Sequence, residues 1–136
     1  MVIITNRCNL SRAHCFGFRD DNPNEALSPR REPLLRKGLL RAGVGMFEAS
    51  TVTTNGTMSL VDLGPDVLYV VSLDGPRPIN GAVRGPGSFD RVLRNLRSLP
   101  RDFSSPVQVQ CTVTPVNQAH LEELIVELAA RAHSSG

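Results

Sequence analysis

"DVLYVVSLDG", Asp66–Gly75, is the stretch on which the fold turns. Val67 to Leu73 is a near-continuous apolar run, entered after Gly64-Pro65 and left at Asp74-Gly75. A strand with one covered face alternates apolar and polar residues; an uninterrupted run is the pattern of a strand covered on both faces. Such strands belong to parallel sheets dressed with helices.

Working outward toward the C-terminus, "GPGSFDRVLRNLRSLP" carries an apolar stripe of Phe89, Val92, Leu93 and Leu96. Ser88 is a candidate N-cap, Asp90 lies in the first turn and Pro100 stops the helix. "PVQVQCTVTP" alternates strictly, with Val107, Val109 and Cys111 on one face, and reads as a strand. In "NQAHLEELIVELAARA", Leu121, Leu124, Ile125, Leu128, Ala129 and Ala132 share one face, with Asn117 as N-cap. Residues 134–136 read as a frayed tail.

Toward the N-terminus, "VGMFEASTVTT", Val44–Thr54, reads as one long strand with room for a bend, ending in the turn "TNGT". Two parallel strands would need a crossover that the residues between Phe47 and Val52 cannot supply. Before it, Leu35, Leu39 and Ala42 recur at helical spacing. Proline is tolerated in a first turn and costs ~3 kcal/mol in an interior. The helix therefore starts at Glu32–Pro33 and closes at Gly43. "VIIT", Val2–Thr5, reads as a buried strand, and residues 6–31 form a long loop of the kind that usually carries function.

The order is strand, long loop, helix, strand, strand, helix, strand, helix. It predicts an α/β domain of about four parallel strands and three helices with open edges, in a single domain spanning 1–136. Ligands of such sheets bind at the carboxyl ends of the strands. The Cys8 loop, "TNGT", "SLDG" and "TPVN" each follow a strand, which is the main argument for a site there.

Composition narrows the function. A net charge of +2 and an aromatic content of 4% argue against a nucleic-acid partner. No apolar run approaches the ~20 residues of a membrane span, and the start lacks the features of a signal peptide. A cytoplasmic protein is expected. The three cysteines, Cys8, Cys15 and Cys111, are an odd number and argue against a disulfide framework. Cys111 reads as a small hydrophobe within its strand.

Together, "TNRCNL", "EPLLRKGLL", "TTNGT", "VSLDGP" and "AVRGPGSFDRVLRNL" resemble the radical SAM superfamily, in particular its peptide-maturation and cofactor-biosynthesis branch. The resemblance covers most of residues 1–128. It implies a partial (βα) barrel and two cofactors, a [4Fe–4S] cluster and S-adenosylmethionine. The cluster donates one electron that splits the sulfonium bond, and the resulting 5′-deoxyadenosyl radical acts on a peptide or small-molecule substrate. By resemblance, Cys8 and Cys15 match the first and third cluster ligands, and His14 the aromatic position beside the adenine. Glu32 with Pro33 matches the motif that pairs with the amino group. Ser72 and Asp74 match the ribose-side motif. Arg84 is a candidate for the carboxylate, and Asn117 a candidate pocket residue.

The chain departs from that pattern at three points. Arg12 stands where the second cluster cysteine belongs, and a guanidinium has no lone pair for iron. Arg30 and Arg31 replace two glycines that let the backbone approach the bound methionine. One strand–helix unit of the family is missing before Glu32. A relative that keeps a nucleoside pocket or a protein-binding face without redox activity is the alternative. A zinc site from Cys8, His14 and Cys15 lacks the usual spacing. A partner or second copy covering the sheet edges is also expected.

Overall fold

A computed structural model describes residue 38 and residues 40–132. Its sheet has three strands, β1 (Ser50–Thr54), β2 (Val67–Ser72) and β3 (Val107–Gln110), in that spatial order. Both pairings are parallel, with Val52 opposite Tyr69 and Val71 opposite Val109. Helices α1 (Arg77–Arg84) and α2 (Ser88–Arg97) connect β2 to β3, and a 3-10 turn (Gln118–His120) leads into α3 (Leu121–Ala132).

The expected fold of four strands and three helices in a partial barrel is corrected, among the described residues, to a three-stranded parallel sheet with three α-helices and one 3-10 turn after β2, besides the helical residues 40–43 before β1. The strand read at Val2–Thr5 and the start of the helix at Glu32 lie outside the described residues. Residues 40–43 are helical.

α1 was absent from the expectation for a physical reason. It begins after Pro76, with Pro78 in its first turn, where a missing N–H costs nothing. Its buried residues are Asn80 and Arg84 rather than an apolar stripe, so hydrophobic periodicity does not reveal it.

β1 is shorter than expected because the chain turns first. Val44 N–H donates to Arg41 O at 3.3 Å, and Met46 N–H to Gly43 O at 3.2 Å. Gly45 at φ 80° takes the left-handed backbone that other residues avoid. From β1 to β2 the chain crosses over through residues 55–66 without a helix.

Side chains of a strand alternate between faces. Register therefore places Val52, Thr54, Val67, Tyr69, Val71, Val107 and Val109 on one face. That face is covered. Val71 and Leu73 pack with Phe89, Val92 and Leu93 of α2 and Leu124 of α3, while Val67 and Tyr69 pack with Leu63, Phe103 and Leu40. Leu60 touches both clusters and joins them. The Tyr69 hydroxyl donates to Val61 O at 2.8 Å, which fixes the crossover against the sheet.

A second fastening sits at Asp62. Its carboxylate accepts the Ser104 N–H at 2.9 Å, the Ser104 hydroxyl at 2.8 Å, the Ser105 N–H at 3.2 Å and the Gly64 N–H at 3.1 Å. Ser105 Oγ accepts the Leu63 N–H at 2.9 Å. This clamp ties the crossover to the segment that leads into β3. The backbone N–H of Ser104, then that of Gly64, hold the Asp62 carboxyl well below the usual carboxylate range.

Candidate functional site

The carboxyl ends of β2 and β3 are organised around Asp74. β2 keeps its pairing one residue past its end, where Leu73 N–H donates to Gln110 O at 2.9 Å. Asp74 then turns inward and is 1% exposed. Its N–H donates to Asn80 Oδ1 at 2.9 Å, and its Oδ2 accepts Arg84 Nε at 2.7 Å. Its carbonyl accepts Asn117 Nδ2 at 2.8 Å. Asn80 Nδ2 donates onward to Ser88 Oγ at 2.9 Å.

Asn117 closes the far side. Its Nδ2 also donates to Thr112 O at 2.8 Å, and its Oδ1 accepts Thr114 N–H at 2.7 Å. It therefore holds the loop after β3 against the loop after β2. It makes no side-chain cap of the turn it precedes, so the expected capping role is replaced by this bridge. Ser88 likewise is the first residue of α2, behind Gly87 as N-cap.

This network joins two loops and two helices through buried hydrogen bonds. Buried polar groups need partners, because an unmade bond costs about 1–3 kcal/mol. One donor is left over: Arg84 Nη1 is buried and has no hydrogen-bond partner among the described residues.

The first rim loop follows β1. Thr54 Oγ1 accepts the Gly56 N–H at 3.2 Å, and Asn55 Oδ1 accepts the Thr57 N–H at 3.0 Å. Gly56, at φ 69°, lies so near the core that an added Cβ would stand 2.6 Å from Val71 Cγ1. Asn95 Nδ2 of α2 donates to Gly56 O at 2.8 Å and fixes the turn.

The opposite face of the sheet is different. Register puts Thr51, Thr53, Leu68, Val70, Ser72, Gln108 and Gln110 there. None of these residues belongs to either hydrophobic cluster. Thr51, Thr53, Gln108 and Gln110 are exposed, and Ser72 is half-buried where the face meets the rim. On that face of β2, Val70 is buried and Leu68 and Ser72 are half-buried, while among the described residues neither hydrophobic cluster extends to that side. The bare face is an uncharged array of hydroxyls and carboxamides around a small apolar centre.

Of the residues expected at a site, Asp74, Arg84 and Asn117 are brought together, and Ser72 lies beside them on the bare face. Cys8, Arg12, His14, Cys15 and Glu32 lie outside the described residues. The sequence reading did not single out Asn80, which links α1 to the rim, or Thr51, Thr53, Gln108 and Gln110. The signal was present in "STVTT" and "VQVQ", whose polar positions hold only uncharged hydrogen-bonding residues.

The donor set does not fit a cubane cluster, which requires three thiolates around it if one iron is to stay open. Cys8 and Cys15 supply two, and Arg12 cannot supply a third. Cys111 packs against the core cluster on the helix-covered face, and its Sγ accepts Asn117 Nδ2 at 3.5 Å. Burial pushes its thiol up, the Asp74 carboxylate adds to this, and Arg84 opposes it. Among the described residues, no group of three or more His, Cys, Asp or Glu could hold a metal ion.

No protein-family model matches the chain, and no curated protein matches it. Among the described residues, no helix is long and apolar enough to cross a membrane.

Proposed function

We propose that this chain is a radical SAM-like domain that binds S-adenosylmethionine, or a nucleoside of the same build, across the bare sheet face and its carboxyl rim, and that it does not hold a [4Fe–4S] cluster by itself. The observation that carries the reading is the two-sidedness of the sheet. One face is sealed by helices, and the other offers hydroxyls and carboxamides without a charge.

Such groups suit a ribose and an adenine edge, which are recognised by neutral hydrogen bonds. Ser72 stands at the edge of that face, next to the rim that Asp74 and Asn117 hold in place. Arg84 Nη1, the buried donor without a partner, is the candidate for a carboxylate oxygen of the methionine end. The proposal keeps the chain in the cytoplasm and, by the family resemblance, takes a peptide or small molecule as the substrate of an intact relative. Radical formation is not assigned to this chain, because its ligand set falls one thiolate short.

Calorimetric titration of the intact chain with S-adenosylmethionine and S-adenosylhomocysteine tests the first clause. One-to-one binding is expected, weakened by up to about tenfold in Ser72→Ala or Gln110→Ala, each of which removes one hydrogen bond. A folded chain that binds neither nucleoside rejects the reading. Anaerobic reconstitution with iron and sulfide tests the second clause. Far fewer than four irons per chain are expected, and full loading with a stable visible band rejects it. Uptake that appears only in Arg12→Cys would assign the deficit to that single position.

A further inference from the structure

α1 is held to the protein differently from the helices that follow it. α2 puts Phe89, Val92 and Leu93 into the core, and α3 puts Leu124 there. α1 contributes to neither hydrophobic cluster. Its buried residues, Asn80 and Arg84, are polar, and its apolar Ile79 and Val83 are only half-buried. Its anchors are polar as well. Asn80 accepts the Asp74 N–H and donates to Ser88 Oγ, both at 2.9 Å, and Arg84 Nε donates to Asp74 Oδ2 at 2.7 Å. At the exposed end, Arg77 pairs with Asp90 at 2.9 Å, and its N–H donates to Glu127 Oε2 at 3.3 Å.

Water can satisfy each of these groups. When α1 leaves, Arg84 and Asp74 regain the hydration that burial took from them. Arg84 Nη1, buried without a hydrogen-bond partner among the described residues, gains one. Lifting α2 instead would expose apolar side chains, which gain nothing from water. Both ends of α1 are followed or preceded by a glycine. Gly75 stands before Pro76, and Gly85, at φ 93°, takes a backbone conformation that other residues avoid. A hinge needs only a few such residues to absorb a large backbone rotation. Asp74 itself stays with the sheet, because its carbonyl accepts Asn117 Nδ2 at 2.8 Å from the loop after β3.

We infer that α1 is a latch: it opens as one piece on Gly75 and Gly85 while the sheet, α2 and α3 stay folded, and it uncovers Arg84 and Asp74 to solvent. Regions that open below the global unfolding free energy are those with few buried apolar contacts, and α1 is such a region. The inference does not depend on nucleoside binding.

Amide hydrogen exchange of the intact chain, followed by mass spectrometry at urea concentrations below the unfolding transition, tests it. The amides of α1 are expected to exchange at least about tenfold faster than those of β2 and α2. Their rate should rise only weakly with urea, because opening exposes little apolar surface. Leu124→Ala leaves a cavity in the core and should speed exchange in β2 about a hundredfold or more. It should change exchange in α1 by less than about threefold, since the core is intact with the latch open or closed. Asn80→Ala removes two anchors of the closed latch and should speed exchange in α1. Amides of α1 with the rate and urea slope of β2 overturn the inference. So does an α1 that Leu124→Ala speeds as much as β2, or one that Asn80→Ala leaves unchanged. The urea series on the unsubstituted chain decides alone where a variant fails to fold.

Discussion

Arg84 and Asp74 form an ion pair whose side chains are 4% and 2% exposed. Taking both charges out of water costs several kcal/mol, which their attraction and hydrogen bonds must offset. Removing one partner strands the other. Arg84→Ala is therefore expected to destabilise the fold by about 3–5 kcal/mol in urea unfolding. Arg84→Met combined with Asp74→Leu is expected to lose much less, because no lone charge remains and the backbone of residue 74 still meets Asn80 and Asn117. Equal losses in the two variants would mean that the pair is not the source of the penalty. At this scale the sequence was partly legible. Asp74 and Asn117 stand out as polar residues after strands, and Arg84 was singled out by the family resemblance alone. That they face one another inside the protein is invisible to apolar periodicity, which is silent about a polar interior. Asn80 escaped notice for the same reason.

Elements were legible where their pattern was apolar. β2, β3, α2 and α3 lie where alternation or helical spacing puts them, although β3 is cut to four residues. β3 ends early because Thr112 and Thr114 give their backbone groups to Asn117. α3 shows the limit of the stripe argument. Ile125 and Ala129 were read onto the buried face, yet both are exposed. A helix whose apolar residues spread beyond one stripe does not say which of them meet the core. The Asp62 clamp could not be foreseen, since Ser104 and Ser105 lie far along the chain. It also carries a pH dependence. The carboxyl of Asp62 is held below its unfolded value, so its contribution is complete above about pH 3.9 and is lost as pH falls below that. Asp62 is exposed, and solvent screening moderates the effect. Wild type is expected to lose its advantage over Asp62→Asn between about pH 5 and pH 2 in urea midpoints. A difference that stays constant across that range would rule the clamp out as the acid-sensitive element.

At the scale of the whole molecule, the sheet separates two tasks. The helix-covered face holds the hydrophobic clusters, and the rim network fastens the loops beyond the strand ends. The bare face contributes to neither. Thr53→Ala and Gln108→Ala should each shift the melting temperature by less than about 4 °C, since exposed substitutions stay within about 0.5 kcal/mol. A larger drop in calorimetry would show that the bare face carries stability after all. In such a layout, changes of preference and changes of robustness fall on separate sets of codons. On the proposed reading, substitution at Thr51, Thr53, Gln108 or Gln110 would change which small molecules are bound while other residues keep the scaffold. Such a face could be recruited to a new ligand without the chain first having to fold differently.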